Sequence, residues 1–420
     1  MAVESVPPAG ESVIADGGHE QGEEYNDAVA ADNGETEETD GEEHEHGEQD
    51  EDGQGEEEEA EADHDDEDDA TASDSNSNYS SASEDALPPI HEYGHVYHGS
   101  GRMVTPNDPC ENQRQAYQHE LFTLCLGGAL TFTKLPLELL TPDSPRFHIL
   151  DVGCGGGHWG MEMAQSNPLV DVLGIELSSA NLPKEVPPNL TFEIADAAED
   201  WPPRLYDFVH LRNLVGGGIR DWRRLIVQAF DHLKPGGQLE FTEVTPLFFG
   251  VDPDPLAESS DDAETETDAG AETDQQHTER PRAALGAATI EYGAVFAEIA
   301  TAQGIDFDPT PKVRPWLREL GAESVRERSD WMPVRNWARD PVVRKKGEIL
   351  YKMLETGCNH WTLRMFGLAG WEEAKTRELL ERVMQEYDDP LLRSCIKVTF
   401  ISARKPGGKS TKAKSVEKTQ

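Results

Sequence analysis

Basic residues near the N-terminus, long apolar runs and paired cysteines are all scarce in this chain of 420 residues. Residues 1–90 contain 33 Asp or Glu and no Lys or Arg, and residues 251–280 contain 11 acidic residues and one Arg. Outside these two blocks, 39 acidic residues stand against 35 basic ones. The formal net charge of −47 therefore belongs to two segments, and the rest of the chain is nearly neutral.

Large apolar side chains are almost absent from residues 1–88, which are rich in Glu, Asp, Gly and Ser. Such a segment cannot bury enough surface to offset the conformational entropy lost on ordering. We predict a disordered acidic tail over residues 1–88, a disordered acidic insertion over 252–285 and a disordered Lys-rich tail over 407–420. The long tail either only keeps the chain soluble or docks a basic partner such as a histone. Because its charge repels phosphate, direct binding of nucleic acid is not expected.

No apolar run approaches the roughly 20 residues that cross a bilayer. The N-terminus lacks the basic and apolar regions of a secretory signal. The cysteines are odd in number and form no C-x-x-C pair: Cys110, Cys125, Cys154, Cys358 and Cys395. Neither a zinc site nor a disulfide framework is therefore expected. We expect an intracellular protein, in the nucleus or the cytoplasm, with no membrane partner.

Short apolar runs alternate with helical patterns between residues 89 and 406. The runs predict strands at 147–152, 170–176, 190–194, 206–211, 239–244, 322–328 and 395–403. Helical spacing predicts helices at 111–127, 222–233, 289–303 and 311–320, and a helical cap over 331–393. Residues 234–237, Lys-Pro-Gly-Gly, predict a turn, and 91–140 form a segment ahead of the sheet. This alternation is typical of an α/β fold with a parallel sheet.

The first strand of the sheet runs into a glycine loop that begins at Asp151 and continues through Gly153, Gly155 and Gly157. Alternating glycines let backbone amides approach a ligand because no Cβ stands in the way. The helix that follows offers free N–H groups to an anionic group. The spacing of Gly155, Gly157 and Gly160 also satisfies G-x-G-x-x-G, so the loop alone leaves a nicotinamide dinucleotide site open.

Acidic residues after successive strands favour a different ligand. Asp151 is placed to meet an ammonium group, where a dinucleotide would have its pyrophosphate. Glu176 ends the second strand, as needed to accept hydrogen bonds from ribose hydroxyls, and Asp196 follows the third, placed to accept from an adenine amine. The set resembles class I S-adenosylmethionine-dependent methyltransferases. Their pattern implies a Rossmann-like, seven-stranded, mostly parallel sheet with helices on both faces, and a cofactor pocket that also includes Cys154, Leu177 and Ala197.

A closer resemblance extends over about residues 90–250. It rests on Tyr97-His98, residues 106–108 and 111–114, His119, and residues 187–193, 207–212, 218–222 and 229–237. These stretches resemble the LaeA-like methyltransferases of filamentous fungi, a family that includes regulators of secondary metabolism, partners of velvet-type proteins in the nucleus, and enzymes encoded in biosynthetic clusters. The resemblance implies that Tyr97 covers the cofactor. The acidic tail and the acidic insertion depart from the family pattern.

Three functions follow from this resemblance. The chain methylates a small metabolite, or acts as a protein-methylating regulatory subunit of a velvet-type complex, or keeps the fold without catalysis. The acids and glycines of the cofactor pocket argue against the last, because a dead site has no need of them. The sequence leaves the first two open, and with them the identity of the methyl acceptor.

The loop after the fourth strand carries the catalytic candidates. It lacks the Asn-Pro-Pro-Tyr pattern of many nucleic-acid amino methyltransferases and has His210, Arg212 and Asn213 instead. This place is the carboxyl edge of the sheet, where open α/β folds bind ligands. His210 is predicted to act as a base or to orient the acceptor, unless it makes a structural hydrogen bond. Arg212 is predicted to bind an acceptor carboxylate or to pair with a nearby acid. The tryptophans of the predicted cap either line an acceptor pocket or pack in its core.

Overall fold

The computed structural model describes residues 79–81, 87–250, 285–389 and 391–407. The predicted acidic tail, acidic insertion and Lys-rich end lie almost wholly outside these ranges. Within them, no helix is both long enough and apolar enough to cross a membrane.

The strands are β1 (Tyr79–Ser81), β2 (Ile90–Glu92), β3 (His95–Tyr97), β4 (Phe147–Val152), β5 (Val170–Glu176), β6 (Leu190–Ile194), β7 (Tyr206–Arg212), β8 (Leu233–Gly250), β9 (Glu323–Pro333) and β10 (Ser394–Arg404). The helices are α1 (Pro109–Cys125), α2 (His158–Ser166), α3 (Trp222–Asp231), α4 (Ala287–Ala302), α5 (Thr310–Glu319), α6 (Pro341–Leu368) and α7 (Glu373–Asp388). A short 3₁₀ turn spans Leu137–Leu139.

The main sheet has the strand order β1-β6-β5-β4-β7-β8-β10-β9, and only β10 runs against its neighbours. The predicted seven-stranded, mostly parallel sheet is confirmed. β1 adds an eighth strand beside β6, with Tyr79 opposite Phe192, at the end of the segment predicted to be a tail. The chain extends the sheet in one direction from β4 and then in the other from β7. The carboxyl ends of β4 and β7 therefore form the switch point where such sheets bind ligands.

Both faces of the sheet are covered by helices. Successive residues of a strand point to opposite faces, and Phe400 and Ile401 of β10 accordingly join different cores. Phe400 packs in the core that includes residues of α1, α4, α6 and α7, and Ile401 packs with residues of α3 and α5. A third core, around Trp159 and Phe192, joins α2 to the sheet.

Two predicted boundaries are wrong. The Lys-Pro-Gly-Gly stretch lies inside β8, where the pairing with β7 jumps from Tyr206–Leu233 to Phe208–Gln238. The extra residues are accommodated as a bulge, with Gly236 at a φ of 84°, which a non-glycine residue rarely adopts. β9 runs on to Pro333, so residues 331–333 pair with β10 and do not belong to the helical cap.

Candidate active site

A carboxylate from the neighbouring strand holds the glycine loop between β4 and α2. The Gly155 N–H donates to Oε2 of Glu176 at 2.7 Å, and the Leu177 N–H donates to Oε1 at 2.9 Å. Burial raises the pKa of Glu176, and these amide hydrogen bonds oppose that shift because they favour the charged carboxylate. Glu176 therefore fixes the conformation of the loop as well as bordering the space above it.

A polar pocket lies at the carboxyl ends of β4, β5, β6 and β7. The structure brings nine of the twelve residues predicted for the site into its lining: Asp151, Gly153, Cys154, Gly155, Glu176, Leu177, Asp196, Ala197 and Arg212. Gly157, Tyr97 and His210 do not line it. No group of three or more His, Cys, Asp or Glu within the described ranges is arranged to hold a metal ion.

Gly157 serves packing and not the polar pocket. It caps the start of α2 with a φ of 72°, in the left-handed region that favours glycine. A Cβ at this position would lie 2.7 Å from the ring of Phe192. The glycine therefore lets α2 approach β6 closely, which is a structural reason for the motif's last residue.

Residues 102–107 close the polar pocket from the N-terminal side. Nδ2 of Asn107 donates to Oγ of Ser178 at 2.9 Å, which ties the segment to the loop after β5. Arg102 forms an ion pair with Asp196, the acid after β6. The predicted cover over the pocket is therefore provided by this segment.

Tyr97 does not contribute to that cover, contrary to the expectation from resemblance. Its side chain is fully buried at the end of β3, and its hydroxyl donates to the His360 carbonyl at 3.0 Å. The guanidinium of Arg364 lies 4.4 Å from the centre of its ring. Tyr97 therefore anchors the N-terminal segment to α6, and the pocket is closed by residues that follow it.

Helix α1 contributes a row of polar side chains that the sequence did not predict for the site. Oε1 of Gln115 accepts from the Gly156 N–H at 2.7 Å. Glu111 and Arg114, one turn apart and both buried, form two hydrogen bonds of 2.7 and 2.8 Å. Their i, i+3 spacing was visible in the sequence, but the burial of the pair was not.

His210 makes the structural hydrogen bond that was the alternative to its predicted role as a base. It is 1% exposed and lies in β7 directly opposite Asp151 of β4. Its Nδ1 is 2.8 Å from Oδ1 of Asp151, and its ring stacks on Trp159 with centroids 3.8 Å apart. His210 does not line the polar pocket, and its hydrogen bond orients Asp151, which does.

We expect His210→Ala to reduce stability, in contrast to a catalytic base, whose loss reduces turnover alone. The change removes a buried, stacked ring and leaves Asp151 without this hydrogen bond, which costs on the order of 2–4 kcal/mol of unfolding free energy. Urea unfolding without cofactor measures the effect, with the exposed His91→Ala as a control. Normal stability combined with a specific loss of methyl transfer would restore His210 as a catalytic candidate.

Arg212, two residues after His210 on the same face of β7, does reach the polar pocket. It donates from Nη2 to Nδ1 of His119 at 3.2 Å and lies over the ring of Phe122, with 5.4 Å from guanidinium carbon to ring centre. Burial lowers its pKa to about 10, while the charge of Asp151 opposes the shift. No described carboxylate lies within ion-pair distance of it. It is a cation that faces the pocket without an acidic partner.

The loop that follows Arg212 is held by a buried acid in β8. Oε1 of Glu243 accepts from the Leu214 N–H at 2.6 Å, and Oε2 has no partner among the described residues. Burial raises the pKa of Glu243 to about 8. This contact keeps Asn213, Leu214 and Val215 at the edge of the polar pocket.

A second, apolar pocket adjoins the polar one. Its walls are mostly aromatic and aliphatic side chains of β8, β10, α4 and α6 and the loop after α4: Val244, Phe248, Tyr292, Phe296, Phe307, Met353, Leu354, Trp361, Met365 and Ile396. The two pockets share Thr105, Arg114, Gln118, Asn213 and Val215. Of the four tryptophans predicted for the cap, only Trp361 lines this pocket, and Trp371 packs on Phe366 at 5.2 Å between centroids.

The residues at this junction were missed by sequence reasoning. Asn213 has a φ of 54°, in a region that few non-glycine residues adopt and that often marks functional sites. Gln118 and Arg114 lie one turn apart on α1 and are nearly buried. A helical projection of α1 would have placed them on one face, whereas nothing in the sequence reveals the conformation of Asn213.

Comparison with known proteins shows which proteins this chain is similar to. A methyltransferase domain model matches residues 117–287. Methyltransferase pytC of Aspergillus terreus is 28% identical over 322 residues, which cover 75% of this chain and 88% of that protein. The secondary metabolism regulator laeA of Aspergillus niger is 24% identical, and the match covers 76% of this chain and 77% of that protein. The secondary metabolism regulator LAE1 of Cochliobolus heterostrophus is 35% identical, and the match covers 36% of this chain and 50% of that protein.

The chain carries a methyltransferase domain and is similar to the LaeA-like methyltransferases of filamentous fungi. It depends on S-adenosylmethionine and acts on a methyl acceptor. The dinucleotide interpretation of the glycine loop is therefore wrong, and the acids after β4, β5 and β6 were the informative signal. The relatives include both cluster-type methyltransferases and regulators of secondary metabolism, which agrees with the family expected from the sequence.

Proposed function

We propose that this LaeA-like methyltransferase methylates a small, largely apolar molecule. The observation that carries the proposal is the apolar pocket, which shares five residues with the polar pocket. A molecule in the apolar pocket lies directly beside a cofactor in the polar one. This arrangement provides what direct methyl transfer needs, namely an acceptor held in line with the methyl group.

The polar pocket suits S-adenosylmethionine in its charges. Asp151 and Arg212 both line this pocket and offer an anion and a cation, which match the ammonium and carboxylate of an amino-acid end. Glu176 and Asp196, from the next two strands, are the acceptors for ribose and adenine. When bound, the cofactor supplies a methyl group already activated by a positively charged sulfur. Arg212 therefore binds the cofactor and not the acceptor, because it lines the polar pocket and not the apolar one.

The walls of the apolar pocket favour a small molecule over a protein segment. No Asp, Glu or His lines it among the described residues. A peptide in this pocket would bring backbone N–H and C=O groups against apolar walls, and a buried polar group without a partner is costly. An aromatic or aliphatic metabolite loses little on entering and gains about 25 cal/mol for each Å² of apolar surface buried.

An apolar fluorescent probe tests the proposal. N-Phenyl-1-naphthylamine is expected to bind saturably at one site per chain. Phe307→Ala, which removes one wall, is expected to weaken that binding by about tenfold or more and to leave S-adenosylmethionine binding unchanged. Absence of saturable binding, or equal affinity in Phe307→Ala, would contradict an apolar acceptor site here.

Regulation through a protein acceptor is the second candidate, because relatives such as LAE1 are named as regulators. In that function the chain methylates a protein in the nucleus, with velvet-type partners. Incubation with methyl-tritiated cofactor and a whole-cell extract separates the two. Label in the solvent-extractable fraction supports a metabolite acceptor, and label confined to acid-precipitated protein supports the regulatory function.

A further inference from the structure

The junction of the two pockets presents hydrogen-bond donors. Arg114 is 5% exposed, and its Nε and Nη2 donate to Glu111, while no described residue accepts from its Nη1. Gln118 is 8% exposed, and its Oε1 accepts from Arg114 at 3.5 Å, which leaves the amide N–H groups of Gln118 to offer. The side-chain amide of Asn213 has no hydrogen-bond partner in the described ranges. We call Arg114, Gln118 and Asn213 the donor cluster.

The junction also lacks a general base. Glu111 is the nearest acid of α1, and both its oxygens already accept, from Arg114 and from Gln115 at 3.1 Å. Besides Arg114, two side chains of the apolar pocket can ionise, Tyr292 and Cys358. Burial raises the pKa of the Tyr292 phenol and of the Cys358 thiol. A neutral alcohol would need its proton removed during attack, and none of the five residues shared by the two pockets is an acid or a histidine that accepts it.

From this geometry we infer that the acceptor is an apolar molecule with one acidic oxygen, a carboxylate or an ionised phenol or enol, bound at the donor cluster. This inference rests on the proposed function and specifies its substrate class. An amine would bring its own N–H groups against donors. An anionic oxygen accepts from all three side chains, and charge-assisted hydrogen bonds of this kind are the stronger ones.

The reaction balances without a proton transfer from the acceptor. The ionised oxygen forms a bond to the methyl carbon as the carbon–sulfur bond breaks, and the electron pair of that bond remains on sulfur. The products are a methyl ester or ether and a neutral thioether. The donor cluster holds the oxygen in place, and the apolar walls hold the rest of the acceptor and exclude water.

Two probes with the same aromatic skeleton test the inference by binding alone. 1-Anilinonaphthalene-8-sulfonate carries an anionic group, and N-phenyl-1-naphthylamine lacks it. We expect the sulfonate to bind the wild-type chain at least about tenfold more tightly, as a charged hydrogen-bond set would give. Fluorescence titration measures both affinities, with Phe307→Leu as a control that weakens both probes alike.

Variants of the donor cluster make the test specific. Asn213→Asp keeps the shape of the side chain, and Asp tolerates the left-handed conformation as Asn does, but it places a negative charge at the junction. It is expected to weaken the sulfonate by about tenfold or more and to leave the neutral probe unchanged. Gln118→Glu is expected to act in the same direction, and guards against a folding defect in one variant.

The results of these titrations distinguish an anionic acceptor from the apolar acceptor pocket of the proposed function. Binding of both probes with equal affinity, or sulfonate binding that ignores both variants, overturns the anionic acceptor and leaves the apolar pocket standing. If neither probe binds, or if Phe307→Leu leaves the affinity of both probes unchanged, the proposed function and the inference are both overturned. Tighter sulfonate binding that both variants abolish supports both.

Discussion

Replacing Glu176 by Ala is expected to weaken S-adenosylmethionine binding by about 3 kcal/mol or more, roughly a hundredfold or greater loss of affinity. The carboxylate has two tasks, since it is placed to accept from ribose hydroxyls and it also accepts from the N–H groups of Gly155 and Leu177. Its removal takes away a ligand contact and leaves the glycine loop without the acceptor that fixes it.

Calorimetric titration with the cofactor measures this loss. Glu176→Gln keeps the size of the side chain and one acceptor oxygen, so its loss of affinity is expected to be smaller, about 1–2 kcal/mol. Glu193→Gln is a matched control, because Glu193 lies on β6, pairs with Arg204 at 2.5 Å and does not line the polar pocket. Wild-type affinity in Glu176→Ala would mean that the cofactor does not use this strand end.

The acids and glycines of the polar pocket could be predicted from the sequence because they depend on local order. Parallel strands end at one edge of the sheet, so residues at or just after the carboxyl ends of β4, β5 and β6 converge there whatever the details of packing. Asp151, Glu176 and Asp196 meet for this reason. Gly157 follows the same pattern in sequence, yet its role depends on the neighbouring Phe192, which no local spacing reveals.

The carboxyl end of β7 shows where sequence reasoning stops. His210 and Arg212 are two residues apart, so a strand places both on one face of the sheet. They differ in their distance from the carboxyl edge of the sheet. His210 lies opposite Asp151 within the ladder, and Arg212 lies two residues further along β7, nearer that edge. The strand's exact register against β4 decides which of them faces a ligand. Hydrophobic pattern predicts the face but not that register.

For a related reason, the sequence indicated the apolar pocket only as one of two alternative roles for the cap tryptophans. Its walls come from β8, α4 and α6, which are distant in the sequence and meet only through tertiary packing. Trp361 and Met353 have helical spacing that indicates a buried face, and a buried face alone does not distinguish core from cavity. The junction residues of α1 stand more than 200 positions before α6, so their contact follows from the fold alone.

Arg212→Met is expected to lower S-adenosylmethionine affinity by roughly 10- to 100-fold, which corresponds to a lost charge-assisted pair of about 1.5–3 kcal/mol. The sequence alone predicted that Arg212 binds an acceptor carboxylate or pairs with a nearby acid. The structure favours a contact with the cofactor, because Arg212 lines the polar pocket, as Asp151 does, and is absent from the apolar pocket's lining. The apolar probe should therefore bind Arg212→Met with unchanged affinity.

A matched pair of ligands distinguishes recognition from a structural role. Decarboxylated S-adenosylmethionine lacks the group that Arg212 is assigned to bind, so its affinity should be nearly the same for wild type and Arg212→Met. Arg212→Lys keeps the charge but loses the planar fork, and is expected to be intermediate for the intact cofactor. Arg212 also contacts His119, whose Nε2 lies 2.7 Å from Oε2 of Glu162, so Arg212→Met removes a structural contact as well. If Arg212→Met weakens both ligands equally, Arg212 only supports the pocket through His119, and the carboxylate must be held by another residue.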